Sequence, residues 1–128
     1  MTEIQWLAGA IALGIAHVLV AATLSIMQRG LVWGFSNRDA DVRALVGPAA
    51  RAQRASANFL ETFPLFAASV LAVVFTKAGS AHTLMGAQIY FWARLVYLPV
   101  YFVGIPYLRT LVWAASILGL LMVLGALW

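Results

Sequence analysis

The sequence predicts an all-α integral membrane protein, folded as a bundle of four transmembrane helices. Three observations predict it. Of 128 residues, 64% are hydrophobic and only 9% charged, where a soluble domain carries about a quarter charged residues; there is too little polar surface to coat a water-soluble globule. Residues 4–28 hold no Asp, Glu, Lys or Arg, and about 20 apolar residues cross a hydrocarbon core. The other apolar stretches are divided by Gly- and Pro-bearing turns, so the chain reads as one compact membrane domain over residues 1–128.

The first helix is expected over about 4–28. Trp6 sits near its end, as an interfacial aromatic does, and Ala8, Ala12 and Ala16 repeat at the spacing that permits close helix packing. His17 lies mid-span and reads first as a packing or hydrogen-bonding residue, with a catalytic role as the sharper alternative. A polar connector follows over about 29–48, containing Arg29, Arg38, Asp39, Asp41 and Arg43. Asn37 or Asp39 could cap a short helical turn there. Gly47-Pro48 reads as a break followed by the first turn of the second helix.

The second helix is expected over about 49–76. Its charge-free part, 62–76, is too short to span alone, so the span extends back past Glu61. Pro64 lies inside it and should bend it and free a backbone carbonyl. A tight turn follows at Lys77-Ala78-Gly79-Ser80. The third helix, about 82–103, must likewise carry Arg94 within the span, and Pro99 adds a second bend. Gly104-Ile105-Pro106 forms the next turn, and the fourth helix runs over about 107–128 with Arg109 in its first turn.

The arginines set the orientation. Arg29, Arg38, Arg43, Arg51 and Arg54 gather on the connector and the start of the second helix, whereas the opposite turn has only Lys77. The positive-inside rule then puts the connector in the cytoplasm and both termini on the non-cytoplasmic side. The net charge of +4 is no nucleic-acid signature, because the basic residues lie between apolar spans. With Glu3 and no basic cluster, the N-terminal stretch does not read as a cleavable signal peptide. The absence of cysteine removes disulfides, a thiolate nucleophile and cysteine metal sites; no metal is expected.

Two polar stripes stand out against this apolar background. Arg51, Arg54, Asn58 and Glu61 fall within an arc of roughly 80° on the second helix. Tyr90, Arg94, Tyr97 and Tyr101 share a face about 60° wide on the third. Glu61 and Arg94 each lie about ten residues, or roughly 15 Å, from the cytoplasmic ends of their helices. That equality predicts a buried pair, since a lone charge at this depth costs several kcal/mol. The plain reading is a structural ion pair flanked by snorkelling arginines, and for Arg38 and Arg43 it is preferred. The two stripes together hold more than one ion pair needs. They describe a cationic cleft suited to a small anionic ligand with carboxylates and an amine: arginines for carboxylates, Glu61 for an ammonium, Asn58 for an amide.

At these residues the sequence resembles the MAPEG family, the membrane-associated proteins of eicosanoid and glutathione metabolism. The resemblance rests on Arg54-Ala-x-x-Asn58-x-x-Glu61-x-Phe-Pro64-Leu-Phe, on Ala93-Arg94-Leu-x-Tyr97-x-x-x-Tyr101, and on an arginine opening the last helix. It covers residues 50–128 well and the remainder in topology, and around both motifs it is nearest the branch of the leukotriene-C-forming synthase and microsomal glutathione transferases. The resemblance implies a homotrimer, with glutathione as co-substrate bound between neighbouring subunits. Arg54, Asn58 and Glu61 match residues that hold the tripeptide, Tyr97 and Tyr101 match residues lining the same site, and Arg109 matches the arginine that stabilises the thiolate. Arg29 is matched to a first-helix arginine that reaches the ligand. Arg51 and Arg94 are counted with the binding residues. Phe59 and Ser56 stand where some catalytic members carry an aspartate and a histidine, a departure that bears on the acceptor substrate.

The chemistry of Arg109 is coherent by itself. A fixed cation lowers the pKa of a nearby thiol, and the thiolate is the nucleophile. Arginine stays charged and therefore acts electrostatically. The positive end of the fourth helix adds to the same spot, and Thr110 could donate a further hydrogen bond. The expected function is thus a glutathione-dependent transferase or peroxidase acting on lipophilic electrophiles or hydroperoxides from the bilayer, in a bacterial inner membrane. The alternative is a non-catalytic glutathione- or lipid-binding protein on the same scaffold. A proton-coupled exporter, with Glu61 as its membrane carboxylate, has no use for so many arginines on one side.

Overall fold

The computed structural model describes residues 1–39 and 42–128; Asp41, assigned above to the connector, lies outside the described residues. Helices account for most of it: α1 (Glu3–Arg29), α2 (Leu31–Phe35), α3 (Gly47–Phe75), α4 (Ala81–Val103) and α5 (Pro106–Leu124), the last followed by a 3-10 turn over Gly125–Leu127.

Each boundary has a local cause. Thr2 opens α1 with a capping box, its hydroxyl accepting from the Gln5 amide while the Gln5 side chain reaches back to the Thr2 amide. Gly30, at φ +98°, separates α1 from α2. The short helix α2 lies before Asn37 and Asp39 and closes at Ser36, whose hydroxyl donates to the Trp33 carbonyl; a turn capped by Asn37 or Asp39 would run into residues 40–41, outside the described residues. Gly47 at φ +60° and Pro48 begin α3. α3 ends with Lys77 in the left-handed region (φ 57°), where the amides of Lys77 and Ala78 bond back to the carbonyls of Val74 and Val73. Ser80 caps α4, and left-handed Gly104 ends it. α3 and α4 run without interruption through Pro64 and Pro99.

Among the described residues, three helical stretches are long and apolar enough to cross a membrane: Glu3–Arg29, Gly47–Phe75 and Pro106–Leu127. α4 has the length, at 23 residues, but His82, Gln88, Arg94 and its tyrosines dilute its hydropathy.

α1 packs chiefly on α3, and α4 on α5. The apolar core joins Leu7 and Ala10 of α1, Phe66, Val70 and Val73 of α3, Ala87 and Tyr90 of α4, and Leu120 and Val123 of α5. These residues lie toward the end of the bundle that holds the chain termini. Phe66 and Tyr90 stack at 3.9 Å within it, and the Tyr90 hydroxyl shares a hydrogen bond with Thr62 at 3.0 Å. Tyr90 is thus a core residue, although it shares its face with Arg94, Tyr97 and Tyr101. The Ala8/Ala12 edge of α1 is exposed. Close approach is made instead at Gly9 and Gly14, which face the rings of Phe91 and Phe59.

Candidate functional site

The opposite end of the bundle carries the polar stripes. α3 supplies Arg54, Ala57, Asn58 and Glu61, α4 supplies Tyr97 and Tyr101, and the first two turns of α5 supply Arg109, Thr110 and Trp113; together they line a cavity of about 420 Å³. Ligand pockets run from about 300 to 1,000 Å³. A side cavity of about 100 Å³ shares Arg54, Tyr101 and Arg109 and is closed by Arg51, Gly104, Ile105 and Pro106. The positive φ of Gly104 turns the chain from α4 into α5 there, and the Arg51 guanidinium passes close beside it. A Cβ at this position would combine left-handed strain with contact to that arginine.

Tyr101 is the post around which the cations are arranged. Arg54 Nε donates to its hydroxyl at 3.1 Å, and Arg109 lies over its ring at 4.9 Å. Tyr97 is 5.5 Å away, ring to ring. Both tyrosines are buried, so the two arginines rest on a fixed aromatic wall and keep their remaining donors for the cavity. Arg109 stands in the first turn of α5, where the helix N-terminus adds positive potential and Ile105 offers no side-chain cap. Thr110 faces the cavity, but its hydroxyl donates back to the Pro106 carbonyl at 3.3 Å.

The expected Glu61–Arg94 pair is replaced by a different contact. Arg94 is fully buried, and its Nη1 donates to Asn58 Oδ1 at 2.9 Å. Glu61 is exposed and lines the cavity instead. Depth along the helix was the wrong discriminator, because angle decides. On α3 the buried face centres near Phe59, Phe66 and Val73, and Asn58 lies about 80° from that centre against about 140° for Glu61. Asn58 therefore sits at the edge of the packed interface, within reach of α4, while Glu61 turns past it.

Of the other expected binding residues, Arg51 meets the ligand cavity only through the side cavity, and Arg94 stands behind the wall rather than in it. Arg29 is elsewhere in this chain. It donates to the Arg43 carbonyl at 3.0 Å, lies over Trp33 at 4.7 Å, and lines a separate cavity with Gln28, Val42 and Arg43. Phe59 and Ser56 face the interior, both buried. Trp113 was not singled out from the sequence, yet it follows Arg109 by four residues, one helical turn along the same face.

A family model described as "MAPEG family" matches residues 4–128, almost the whole chain. The chain belongs to the MAPEG family. No curated protein and no solved structure matches it significantly. MAPEG membership extends over α1 and the connector as well as the motif-bearing helices, and with the apolar helices it fits an integral membrane protein with a glutathione-related function. For a MAPEG protein the cavity chemistry is apt. Arginines from two helices and the Asn58 amide face one carboxylate across an aromatic wall, a set that matches a peptide-like anion bearing one amine.

Proposed function

We propose that this MAPEG protein is a membrane-embedded glutathione-dependent transferase or peroxidase, of the synthase and microsomal-transferase type. The observation that supports it is the convergence of Arg54, Glu61, Tyr97, Tyr101 and Arg109, from three helices, on one cavity. In this reading Arg54, with Arg51 behind it, takes the ligand's carboxylates, Glu61 takes its ammonium, and Asn58 takes a backbone group. Arg109 and the α5 N-terminus stabilise the sulfur once its proton has left to water. The thiolate then forms a C–S bond to a lipophilic electrophile, which expels its leaving group; with a hydroperoxide, sulfur takes the distal hydroxyl as the O–O bond breaks, the alkoxide takes a proton from water to leave as the alcohol, and a second glutathione attacks the resulting sulfenic acid, forming the disulfide with release of water. α4 completes a four-span bundle, its buried Arg94 shielded by the other helices. The bundle assembles as a homotrimer, and Arg29 meets the ligand only across a subunit boundary.

The test is turnover by purified protein with glutathione and a panel of model electrophiles and lipid hydroperoxides. Conjugation or peroxide reduction lost in Arg109→Ala is the expected result. Glutathione binding with no turnover across the panel would replace this reading by that of a binding protein.

A further inference from the structure

Between the apolar core and the ligand cavity lies a buried polar cluster that neither explains. Arg94 makes one side-chain hydrogen bond, to Asn58, and its Nε and Nη2 are buried without a partner. His17 is 1% exposed, and both of its ring nitrogens are without a partner. The two residues lean on the same ring: His17 stacks on Phe59 at 4.8 Å, and the Arg94 guanidinium carbon lies 5.3 Å from the Phe59 centroid. Tyr97 covers the guanidinium at 4.5 Å. Buried polar atoms are almost always hydrogen-bonded. A guanidinium offers only donors, and a neutral imidazole offers one donor and one acceptor. Enclosed water, with two to four polar partners, is the usual bridge.

We propose that His17 and Arg94 form a water-bridged unit that locks the Asn58 amide, and that His17 is thereby a positioning residue for the ligand site. Because Arg94 can only donate, the atom it holds must be the Asn58 oxygen. The Asn58 NH2 is then the group left for the cavity that Asn58 lines. Position 58 selects an acceptor on the ligand, a carbonyl or carboxylate oxygen, and rejects an ammonium there. Glu61 is left as the single carboxylate of the cavity, so the ligand's amine has one place to go. The inference rests on the reading of the cavity as a glutathione site.

The test is the dissociation constant of glutathione for the purified full-length protein, by calorimetry, in wild type, His17→Leu, His17→Gln, Asn58→Ala and the His17→Leu/Asn58→Ala double variant. His17→Leu weakens binding about tenfold, the order of one charge-assisted hydrogen bond. His17→Gln, which keeps an acceptor, restores most of the loss. In the Asn58→Ala background His17→Leu adds no more than about twofold, because both act through one group. Asn58→Asp supplies an independent arm that does not disturb His17: it keeps the Arg94 bond but turns an acceptor to the cavity, so thermal stability holds while affinity falls about tenfold or more. Wild-type binding that is unchanged in His17→Leu, losses that multiply in the double variant, or an Asn58→Asp protein that binds normally each overturn the inference and leave the proposed function standing. A wild-type protein that does not bind glutathione overturns both.

Discussion

In the proposed mechanism Arg109 needs only a fixed position in order to act on a thiol, and Tyr101 at 4.9 Å together with the first turn of α5 provides one. Arg109→Ala is expected to reduce the rate of conjugation by about a hundredfold or more, the usual loss when one preorganised charge is removed, with the unfolding midpoint little changed because the side chain is only half-buried. Stopped-flow turnover and thermal unfolding in detergent check the two halves separately. Glu61→Gln is expected to act on affinity rather than rate, weakening glutathione binding about tenfold while sparing a glutathione analogue that lacks the amine; calorimetry with both ligands decides it. The polar stripe of α3 was legible from spacing alone, because arginine, asparagine and glutamate are conspicuous in an apolar chain. What spacing could not supply was the rotation of each residue about its own helix. Glu61 and Asn58 differ by one turn of sequence, yet only Asn58 reaches Arg94. Trp113 was passed over for the opposite reason: a tryptophan in a membrane helix does not stand out.

α4 and α5 approach each other closely at two glycines, one from each helix. A Cβ on Gly119 would lie 2.6 Å from the Gly86 carbonyl and 2.7 Å from the Tyr90 amide, both backbone atoms that cannot turn aside. Gly119→Ala is therefore expected to destabilise the protein by about 1–3 kcal/mol through forced separation of α4 and α5, and to disturb ligand binding as well, since Tyr97, Tyr101 and Arg109 belong to those two helices. Denaturant unfolding in detergent, followed by circular dichroism, measures the first effect. At the far end of α3, Lys77 occupies a left-handed position that glycine fills without strain, and Lys77→Gly is expected to raise stability by about 0.5–1 kcal/mol. The helices themselves were legible, because the charge-free run of α1 and the glycines and prolines at the turns mark them. The crossing was not, since Gly119 of α5 has only Ala115 four positions away and Gly86 of α4 has no small residue at that spacing. The alanine repeat of α1, which does form such a pattern, lies on an exposed edge. The short α2 was not read from the sequence, because its start is fixed by the positive φ of Gly30, directly after α1.

The whole molecule separates its tasks by height. The end holding the chain termini is apolar and close-packed, the other end is a polar cavity, and a buried arginine and histidine lie between them. Its flanks are apolar: Ile15, Leu19, Leu65, Leu111 and Leu118 each expose more than half of their surface, which is a surface for lipid rather than for water. Assembly as a homotrimer is expected to appear as a protein mass of three chains in mild detergent, after subtraction of the bound detergent, by light scattering. The division into apolar scaffold and polar end was readable from the chain, because a 64% hydrophobic sequence leaves few places for its charges. The separation of Arg29 from Arg54 and Arg109 was not, because linear order cannot show that the end of α1 places it at a different cavity. The central claim, that the converging arginines, glutamate and tyrosines hold and activate a thiol tripeptide, meets its most direct test in the ultraviolet absorbance of glutathione thiolate, titrated into purified protein and into Arg109→Ala. The expected result is saturable binding with a thiolate signal in the wild type and binding without that signal in the variant. No saturable binding, or an equal thiolate signal in both proteins, would contradict it.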